Sequence, residues 1–174
     1  RALRGQEQNP EHRQLIADPY LAQILTAGGT APIPFDVIDR GCFPKAAIRA
    51  DFPLPEPSAM TDGADRRRVR ALMVDVLEDA ALEGDTLLPL DDVLERAEQR
   101  SLTEKCPVNE HILRAHNLHP EQLRYDPEKA YWPPMVGTHL QDGTLAIKLR
   151  LETTAFVIRE SVKALLRRPR VQPP

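Results

Sequence analysis

The spacing of the apolar residues changes near residue 135, and this change constrains the fold more than any other feature of the chain. From about residue 64 the apolar residues recur at steps of three and four, the spacing of a helix with one buried face. In MVGTHLQDGTLAIKLR, residues 135–150, they recur at every second position, as in a half-buried strand. The pattern therefore predicts several helices followed by a β-hairpin.

Asp142-Gly143 is expected to form the turn of this hairpin. A two-residue type I′ turn needs positive φ at both central positions, and the Asp-Gly pair favours that conformation. Folding about this pair predicts three cross-strand neighbours on one face of the hairpin, Leu140 with Leu145, Thr138 with Ile147 and Val136 with Leu149. The residues expected on the other face are Gly137, His139, Ala146 and Lys148.

Three helices are predicted before the hairpin. The first is the clearest, since its apolar residues form one continuous stripe made of Val69, Leu72, Met73, Val76, Leu77 and Ala80. Asp62 or Asp65 can cap its start, and Gly84 stands where a left-handed helix stop is expected. The extended step DTLLPL leads to a second helix that begins near Pro89, and a third helix is expected from about Pro107 to Asn117.

The prolines divide the chain into segments. Proline at every second position in PLPEPSAM forbids a helix, so residues 53–61 are expected to be an extended Pro-rich linker. Residues 1–52 before it are expected to form a small helical subdomain, with a helix from Pro19 to about Thr26 and two short helices broken near Gly41 and Pro44.

The segment after the linker, residues 62–168, is expected to be the main domain, followed by a tail at residues 169–174. It ends with a helix predicted from about Glu152 to Leu166. Its order of helix, short strand, helix, helix and hairpin is that of a winged helix. The predicted fold class is therefore mainly α with a small β-hairpin, an α+β module of winged-helix-like kind.

In a winged helix the third helix enters the DNA groove and the hairpin is the wing. The predicted third helix, VNEHILRAHNL, carries four polar residues for such a contact, namely Asn109, His111, Arg114 and Asn117. Winged helices also dock on proteins without contacting DNA. The residues of this helix leave both functions open.

The basic residues are clustered, although the formal net charge is -3. The clusters are Arg66, Arg67, Arg68 and Arg70, then Lys148 and Arg150, then Arg167, Arg168 and Arg170. DNA binding depends on local charge as well as on the total charge, so one basic face is compatible with this composition. The alternative interpretation is that the clusters are solvated helix faces and a tail.

Candidate zinc ligands occur close together at Cys106, His111, His116 and His119. His111 and His116 would point roughly 140° apart on the predicted helix. We therefore expect exposed or partly packed histidines and no metal site. The aromatic pair Tyr131-Trp132 is expected to fill the gap between hairpin and helices, with stacking on a base as the alternative.

The chain contains no Gly-rich phosphate loop, nucleophile elbow, zincin motif or kinase signature, so neither a catalytic residue nor a cofactor is predicted. The two cysteines provide no disulfide framework, and no apolar run approaches the ~18 residues that cross a bilayer. With no secretory leader recognised at the start, a cytoplasmic protein without membrane contact is expected. The first residue is Arg rather than Met, which is consistent with a piece of a longer chain.

Three segments resemble the region that precedes the motor in RecD-like ATP-dependent DNA helicases of the exodeoxyribonuclease V alpha lineage. RRRVRALMVDVLEDAALEGDTLLPLDDVLERA is similar to that family's long helix, Glu-Gly stop, Leu-Pro step and next helix. DGTLAIKLRLETTAFVIRESVKALLRR resembles the hairpin and acidic-start helix that lead into the ATPase core. DPYLAQIL…IPFDVIDRG resembles a degenerate helix-hairpin-helix, and together the matches cover roughly residues 18–168.

The resemblance implies a DNA-binding accessory region whose partner is an ATPase motor domain outside this chain, in a helicase or exonuclease subunit. The family's hairpin presents backbone amides to phosphate, whereas Pro32 and Pro34 cannot donate hydrogen bonds. The candidate DNA contacts are Thr30, Arg40, Lys45, Arg66, Arg67, Asn109, His111, Arg114, Asn117, Lys148 and Arg150. The alternatives are a winged-helix interaction or dimerisation module and a winged-helix transcriptional regulator.

Overall fold

The computed structural model describes residues 10–26, 31–124 and 134–150. The elements in these ranges are α1 (Pro10–Ala17), α2 (Leu21–Thr26), α3 (Phe35–Cys42), α4 (Ala46–Asp51), α5 (Arg66–Glu83), β1 (Leu88–Pro89), α6 (Leu90–Glu98), α7 (Glu110–Ala115), β2 (Met135–His139) and β3 (Leu145–Leu149). The strands form one antiparallel sheet in the order β1-β3-β2. The prediction of a mainly helical α+β chain with a small β element is confirmed.

Helix α5 is the centre of the structure, and its predicted apolar stripe is buried along its whole length. The Asp65 side chain caps its start by accepting a hydrogen bond from the Arg67 amide over 2.9 Å. Gly84 ends it at φ 110, where the left-handed conformation costs a glycine little. Ala71 and Val74 are buried as well, and α3, α6 and β3 all pack against α5.

The N-terminal helices share one core with α5. Tyr20, Phe35, Phe43 and Met60 belong to the same buried cluster as the α5 stripe. The segment 53–61 between them is only partly extended, since the Ser58 amide donates to the Pro55 carbonyl over 2.9 Å in a turn. The described N-terminal segments and the region that follows them are therefore packed against each other.

Pro19 lies between helices α1 and α2, whereas the sequence predicted a single helix beginning at Pro19. The predicted helix after Pro19 is present as α2, and the two short helices broken between Gly41 and Pro44 are present as α3 and α4. Helix α1 precedes Asp18-Pro19 and was not predicted. It is compatible with Pro19 because a proline disfavours helical φ and ψ for the residue before it and so ends a helix there.

The hairpin is confirmed, but its predicted register is wrong by one residue. The observed partners are Met135 with Leu149, Val136 with Lys148, Gly137 with Ile147, Thr138 with Ala146 and His139 with Leu145. The Leu140 amide donates to the Thr144 carbonyl over 2.9 Å, and the Gly143 amide donates back to the Leu140 carbonyl over 3.0 Å. The loop therefore has three residues, with Gly143 at φ 86.

This shift by one residue exchanges the faces of β2, because side chains alternate along a strand. Met135 is fully buried opposite Leu149, whereas Val136 is only half-buried and lies beside Lys148. Gly137 therefore shares the face of Ile147. A Cβ atom on Gly137 would lie 1.9 Å from the Pro120 carbonyl oxygen, so this close approach requires glycine.

Helix α7 is shorter than the predicted helix from Pro107 to Asn117. Asn109 caps it by accepting from the Ile112 amide over 2.9 Å, so residues 107–108 lie before the helix. Asn117 has φ 56 and ends it, with the Leu118 amide donating to the Leu113 carbonyl over 2.8 Å. The predicted helix from Glu152 to Leu166 and the pair Tyr131-Trp132 lie outside the described residues. None of the described helices is long and apolar enough to span a bilayer.

Candidate nucleic-acid interface

The turn at residues 118–123, which follows helix α7, packs against strand β2 of the hairpin. The Gly137 amide of β2 donates to the Leu123 carbonyl of this turn over 2.9 Å. Gly137 also packs closely against the backbone of Pro120 in the same turn. We call the exposed residues of α7, of the following segment to residue 124 and of the adjoining hairpin the α7–hairpin face.

The four residues predicted on the third helix are all exposed on or beside α7, namely Asn109, His111, Arg114 and Asn117. The two asparagines use their side-chain oxygens in hydrogen bonds within the fold. Asn109 Oδ1 caps the helix, and Asn117 Oδ1 accepts from Gln122 Nε2 over 3.3 Å. The amide groups of both side chains keep donor capacity for a ligand.

Arg114 is held between two carboxylates that the sequence analysis did not single out. Arg114 Nη1 lies 2.7 Å from Glu121 Oε2, and Arg114 Nη2 lies 3.9 Å from Glu110 Oε2. All three side chains are about half exposed. The hydrogen bond from Arg114 lowers the pKa of the Glu121 carboxyl. The nearby His119 and His139 lower this pKa further. With His119 neutral, these groups leave the centre of the face with one negative charge.

His119 lies beneath this ion pair and is fully buried. Its Nδ1 atom is 3.4 Å from Glu121 Oε2, and its Nε2 atom is 3.6 Å from Glu110 Oε2. Neither ring nitrogen has a hydrogen-bond partner within the described part of the chain. The imidazole therefore faces the same two carboxylate oxygens that Arg114 contacts from the solvent side.

Arg66 adjoins the C-terminal end of α7. It is exposed in the first turn of α5, and its Nε donates to the His116 carbonyl over 2.8 Å. His116 Nε2 in turn lies 2.7 Å from the Ala64 carbonyl oxygen. These two contacts bring the start of α5, with one predicted DNA contact, to the edge of the α7–hairpin face.

Arg124 is a cation of this face that is not among the predicted DNA contacts. It is exposed and follows Leu123, whose carbonyl accepts the hydrogen bond from Gly137. The contact of residue 123 with β2 could not be inferred from local patterns, because it joins segments on either side of residues 125–133. The signal available in the sequence was only an isolated arginine after a turn.

The hairpin contributes less positive charge than predicted. Lys148 is half-buried on β3 next to Val136, and Arg150 is buried with its amide donating to the Pro134 carbonyl over 2.9 Å. The tip at residues 140–144 carries Asp142 and neither lysine nor arginine. Arg150 is placed too deep to contact a ligand from the surface.

Arg67 is part of the fold instead of a surface cation. Its guanidinium donates to the carbonyls of Ala17, Pro57 and Ala59 over 2.7, 2.9 and 2.8 Å. It also pairs with Asp65 at 2.8 Å. These bonds tie α1 and the segment 53–61 to α5, and they engage the donors that a phosphate would need.

Arg68 and Arg70 are fully buried, so the interpretation of the arginine cluster as a solvated helix face is wrong for these two residues. Arg68 Nε lies 2.7 Å from Asp39 Oδ1, which also accepts from the Tyr20 hydroxyl over 2.7 Å. Arg70 Nη1 lies 2.8 Å from Asp18 Oδ2. Both pairs connect α5 to the N-terminal helices.

The remaining predicted contacts belong to other parts of the chain. Arg40 is exposed on α3 and paired with Asp36 at 3.0 Å. Lys45 is exposed at the N-cap of α4. Thr30 lies outside the described residues. The described structure thus places Arg40 on α3 and Lys45 immediately before α4.

The four candidate zinc ligands do not converge. Cys106 is buried, which raises the pKa of its thiol to about 12 and keeps it protonated. His111 is exposed on α7, while His116 and His119 have the separate environments given above. Within residues 10–26, 31–124 and 134–150, no group of three or more His, Cys, Asp and Glu side chains is arranged to hold a metal ion.

Comparison with protein-family models, curated proteins and solved structures finds no match to this chain.

Proposed function

We propose that this chain is a winged-helix-like, DNA-binding accessory module of a RecD-like ATP-dependent DNA helicase, with the motor domain outside the chain. The observation that carries the proposal is the order of the elements together with the strand order β1-β3-β2. A short third helix thus precedes a hairpin in the chain, the order found in winged helices that contact DNA. The link to a helicase rests on the sequence resemblance alone.

The DNA contacts in this proposal come from the α7–hairpin face and its edge. Arg66, Arg114 and Arg124 supply the positive charge, and Asn109, His111 and Asn117 supply hydrogen-bonding groups. Glu110 and Glu121 offset part of that charge. The affinity should therefore be low and dominated by phosphate contacts, which makes it dependent on salt.

The test is a fluorescence anisotropy titration of labelled duplex and single-stranded DNA at several salt concentrations. Non-specific binding of this kind has Kd values of about 10⁻⁴ to 10⁻⁶ M at physiological salt and tightens as salt is lowered. The double variant Arg66→Gln, Arg124→Gln should reduce the slope of log K against log salt by about two. Arg13→Gln, which removes an exposed arginine from α1, is the matched control and should leave the slope unchanged.

The DNA part of the proposal fails if neither DNA form binds at low salt with tens of micromolar protein, or if Arg13→Gln has the same effect as the double variant. The helicase part has its own test in the uninterrupted reading frame. A Walker-type Gly-Lys-Thr loop encoded shortly after LLRRPR supports the kinship, and a stop codon there contradicts its simple form.

A second candidate function, docking on a protein, is favoured by one specific surface. Phe52, the residue that follows α4, is 77% exposed, and Ile48 within α4 is 49% exposed, so two large apolar side chains face solvent in this region. Binding through this surface would depend little on salt. Phe52→Ser would then abolish self-association or partner binding and leave the DNA titration unchanged.

A further inference from the structure

The imidazole of His119 lies close to carboxylates of α7 and of the turn that follows it. Glu110 and Arg114 come from α7, Glu121 comes from the turn, and His139 of β2 acts on the Glu121 carboxyl. Only His119 among these five side chains is fully buried. Its protonation state therefore changes the charge underneath the α7–hairpin face without changing the groups on its surface.

Both ring nitrogens of His119 face carboxylate oxygens, and neutral and protonated imidazole interact with these oxygens differently. A neutral histidine has one N–H donor and one acceptor nitrogen, whereas an ionised carboxylate only accepts hydrogen bonds. One ring nitrogen of neutral His119 must therefore present its lone pair to a carboxylate oxygen. When both nitrogens carry protons, each can donate to a carboxylate, to Glu121 from Nδ1 and to Glu110 from Nε2.

Arg114 competes for these same oxygen atoms. Glu121 Oε2 is 2.7 Å from Arg114 Nη1 and 3.4 Å from His119 Nδ1, and Glu110 Oε2 is shared in the same way. A proton on His119 brings the two carboxylates, the guanidinium and the imidazolium to zero net charge. The carboxylates then attract the Arg114 guanidinium less strongly.

We propose that His119 is a proton-operated switch that releases Arg114 from Glu110 and Glu121 for contact with DNA phosphate. This inference rests on the proposed function and specifies how the same face is regulated. At low pH the imidazolium holds both carboxylates from below, and Arg114 turns towards the ligand. At high pH the neutral imidazole leaves both carboxylates to Arg114, and the face is closed to that contact.

The first experiment follows both side chains by NMR in the absence of DNA. The His119 ring resonances and the Arg114 Nε–Hε resonance are recorded across the histidine range between pH 5 and 8. The proposal expects one shared midpoint for the two groups. In Glu121→Gln, a change at a half-exposed residue, the Arg114 resonance should already have its low-pH position at high pH. Separate midpoints, or an Arg114 resonance that ignores His119, would overturn the switch.

The second experiment measures DNA affinity at pH 6 and pH 8 in the parent chain and in Arg114→Gln. All histidines are common to both proteins, so their general titration cancels in the comparison. The parent should gain roughly 3- to 10-fold more affinity on acidification than the variant, and its salt slope at pH 6 should be about one unit steeper. Equal gains in the two proteins would overturn the switch.

The two experiments separate the switch from the function on which it rests. If DNA binds at neither pH, the proposed DNA-binding function fails, and the shared midpoint of His119 and Arg114 then decides the switch alone. If DNA binds but the gain on acidification is the same without Arg114, the function stands and the switch is overturned.

Discussion

Glu78 is a carboxyl group whose burial makes the stability of the chain depend on pH. It lies on α5 and accepts a hydrogen bond from Gln23 Nε2 of α2 over 3.2 Å. Burial raises its pKa from 4.5 to about 7, and burial likewise raises the pKa of Asp75, one turn earlier, to about 6. Both groups therefore hold their protons in the folded chain at pH values where they ionise in the unfolded chain.

The sign of the effect follows from this difference in bound protons. Between pH 4.5 and 7 the unfolded state loses the Glu78 proton while the folded state keeps it, so the free energy of unfolding falls as pH rises and becomes level above pH 7. We predict that Glu78→Gln is more stable than the parent at pH 8 by roughly 2–3 kcal/mol, with no such gain at pH 4. Urea unfolding at both pH values measures this difference.

Glu98→Gln is the matched control, because Glu98 is exposed at the end of α6. It should follow the parent at both pH values. Equal stability of Glu78→Gln and the parent at pH 8 would show that the carboxylate is accommodated without cost.

The roles of individual arginines could not be obtained from the sequence. Arg66, Arg67, Arg68 and Arg70 form one basic cluster in the chain, yet only Arg66 is exposed. Asp39 and Asp18, the partners of the two buried arginines, are 29 and 52 positions away. No local pattern indicates such pairs. Glu110 and Glu121 near Arg114 were missed for the same reason, since their effect depends on the path of the turn after α7.

At the scale of elements, the sequence predicted correctly those features of a helix that depend on residues close together in the chain. The α5 stripe, its Asp65 cap and its Gly84 stop are properties of neighbouring residues, and all three are confirmed. The register of the hairpin is different, because Asp-Gly suits both a two-residue turn and a three-residue loop with glycine last. The observed hairpin has the three-residue loop, which places Met135 on the buried face. The burial of Met135 depends on contacts outside the hairpin.

Gly137 provides the sharpest test of how the hairpin is attached to the α7 region. A methyl group at this position would overlap the Pro120 carbonyl, which is backbone and cannot move without displacing the turn. We predict that Gly137→Ala lowers the free energy of unfolding by roughly 2–3 kcal/mol. Thermal or urea unfolding of the purified variant measures the loss.

Gly41→Ala is the control for this substitution. Gly41 lies inside α3, and a Cβ atom there would meet nothing within 4 Å. Alanine should therefore raise stability by about 0.5–1 kcal/mol through helix propensity. A Gly137→Ala protein as stable as its parent would contradict the observed packing of β2 on the turn.

At the scale of the whole molecule, the buried pair of Arg68 and Asp39 joins the N-terminal helices to α5. Arg68 also donates to the carbonyls of Gly63 and Lys105, so one guanidinium contacts three parts of the chain. Removing one partner of a buried pair leaves a buried charge without compensation. We predict that Asp39→Ala lowers the free energy of unfolding by about 3–5 kcal/mol in a single cooperative transition.

Asp36→Ala serves as the control, since Asp36 and Arg40 form an exposed pair on the same helix, α3, and such pairs contribute at most about 1 kcal/mol. Hydrogen exchange checks the cooperativity. If the amides of α2 to α4 lose protection in a separate, earlier transition, the prediction of a single transition is contradicted. The N-terminal helices would then be an independent subdomain, in agreement with the boundary predicted at residues 53–61.

The proposed contact of the α7–hairpin face with DNA is tested most directly by mapping the bound surface. The measurement is a titration of the ¹⁵N-labelled chain with a short DNA duplex at low salt, followed by amide chemical shifts. We predict that the chemical-shift changes concentrate in residues 109–124, at Arg66 and in the adjoining hairpin, and that they disappear as salt is raised. Shifts confined to α3 and α4, or no shifts at all, would contradict it.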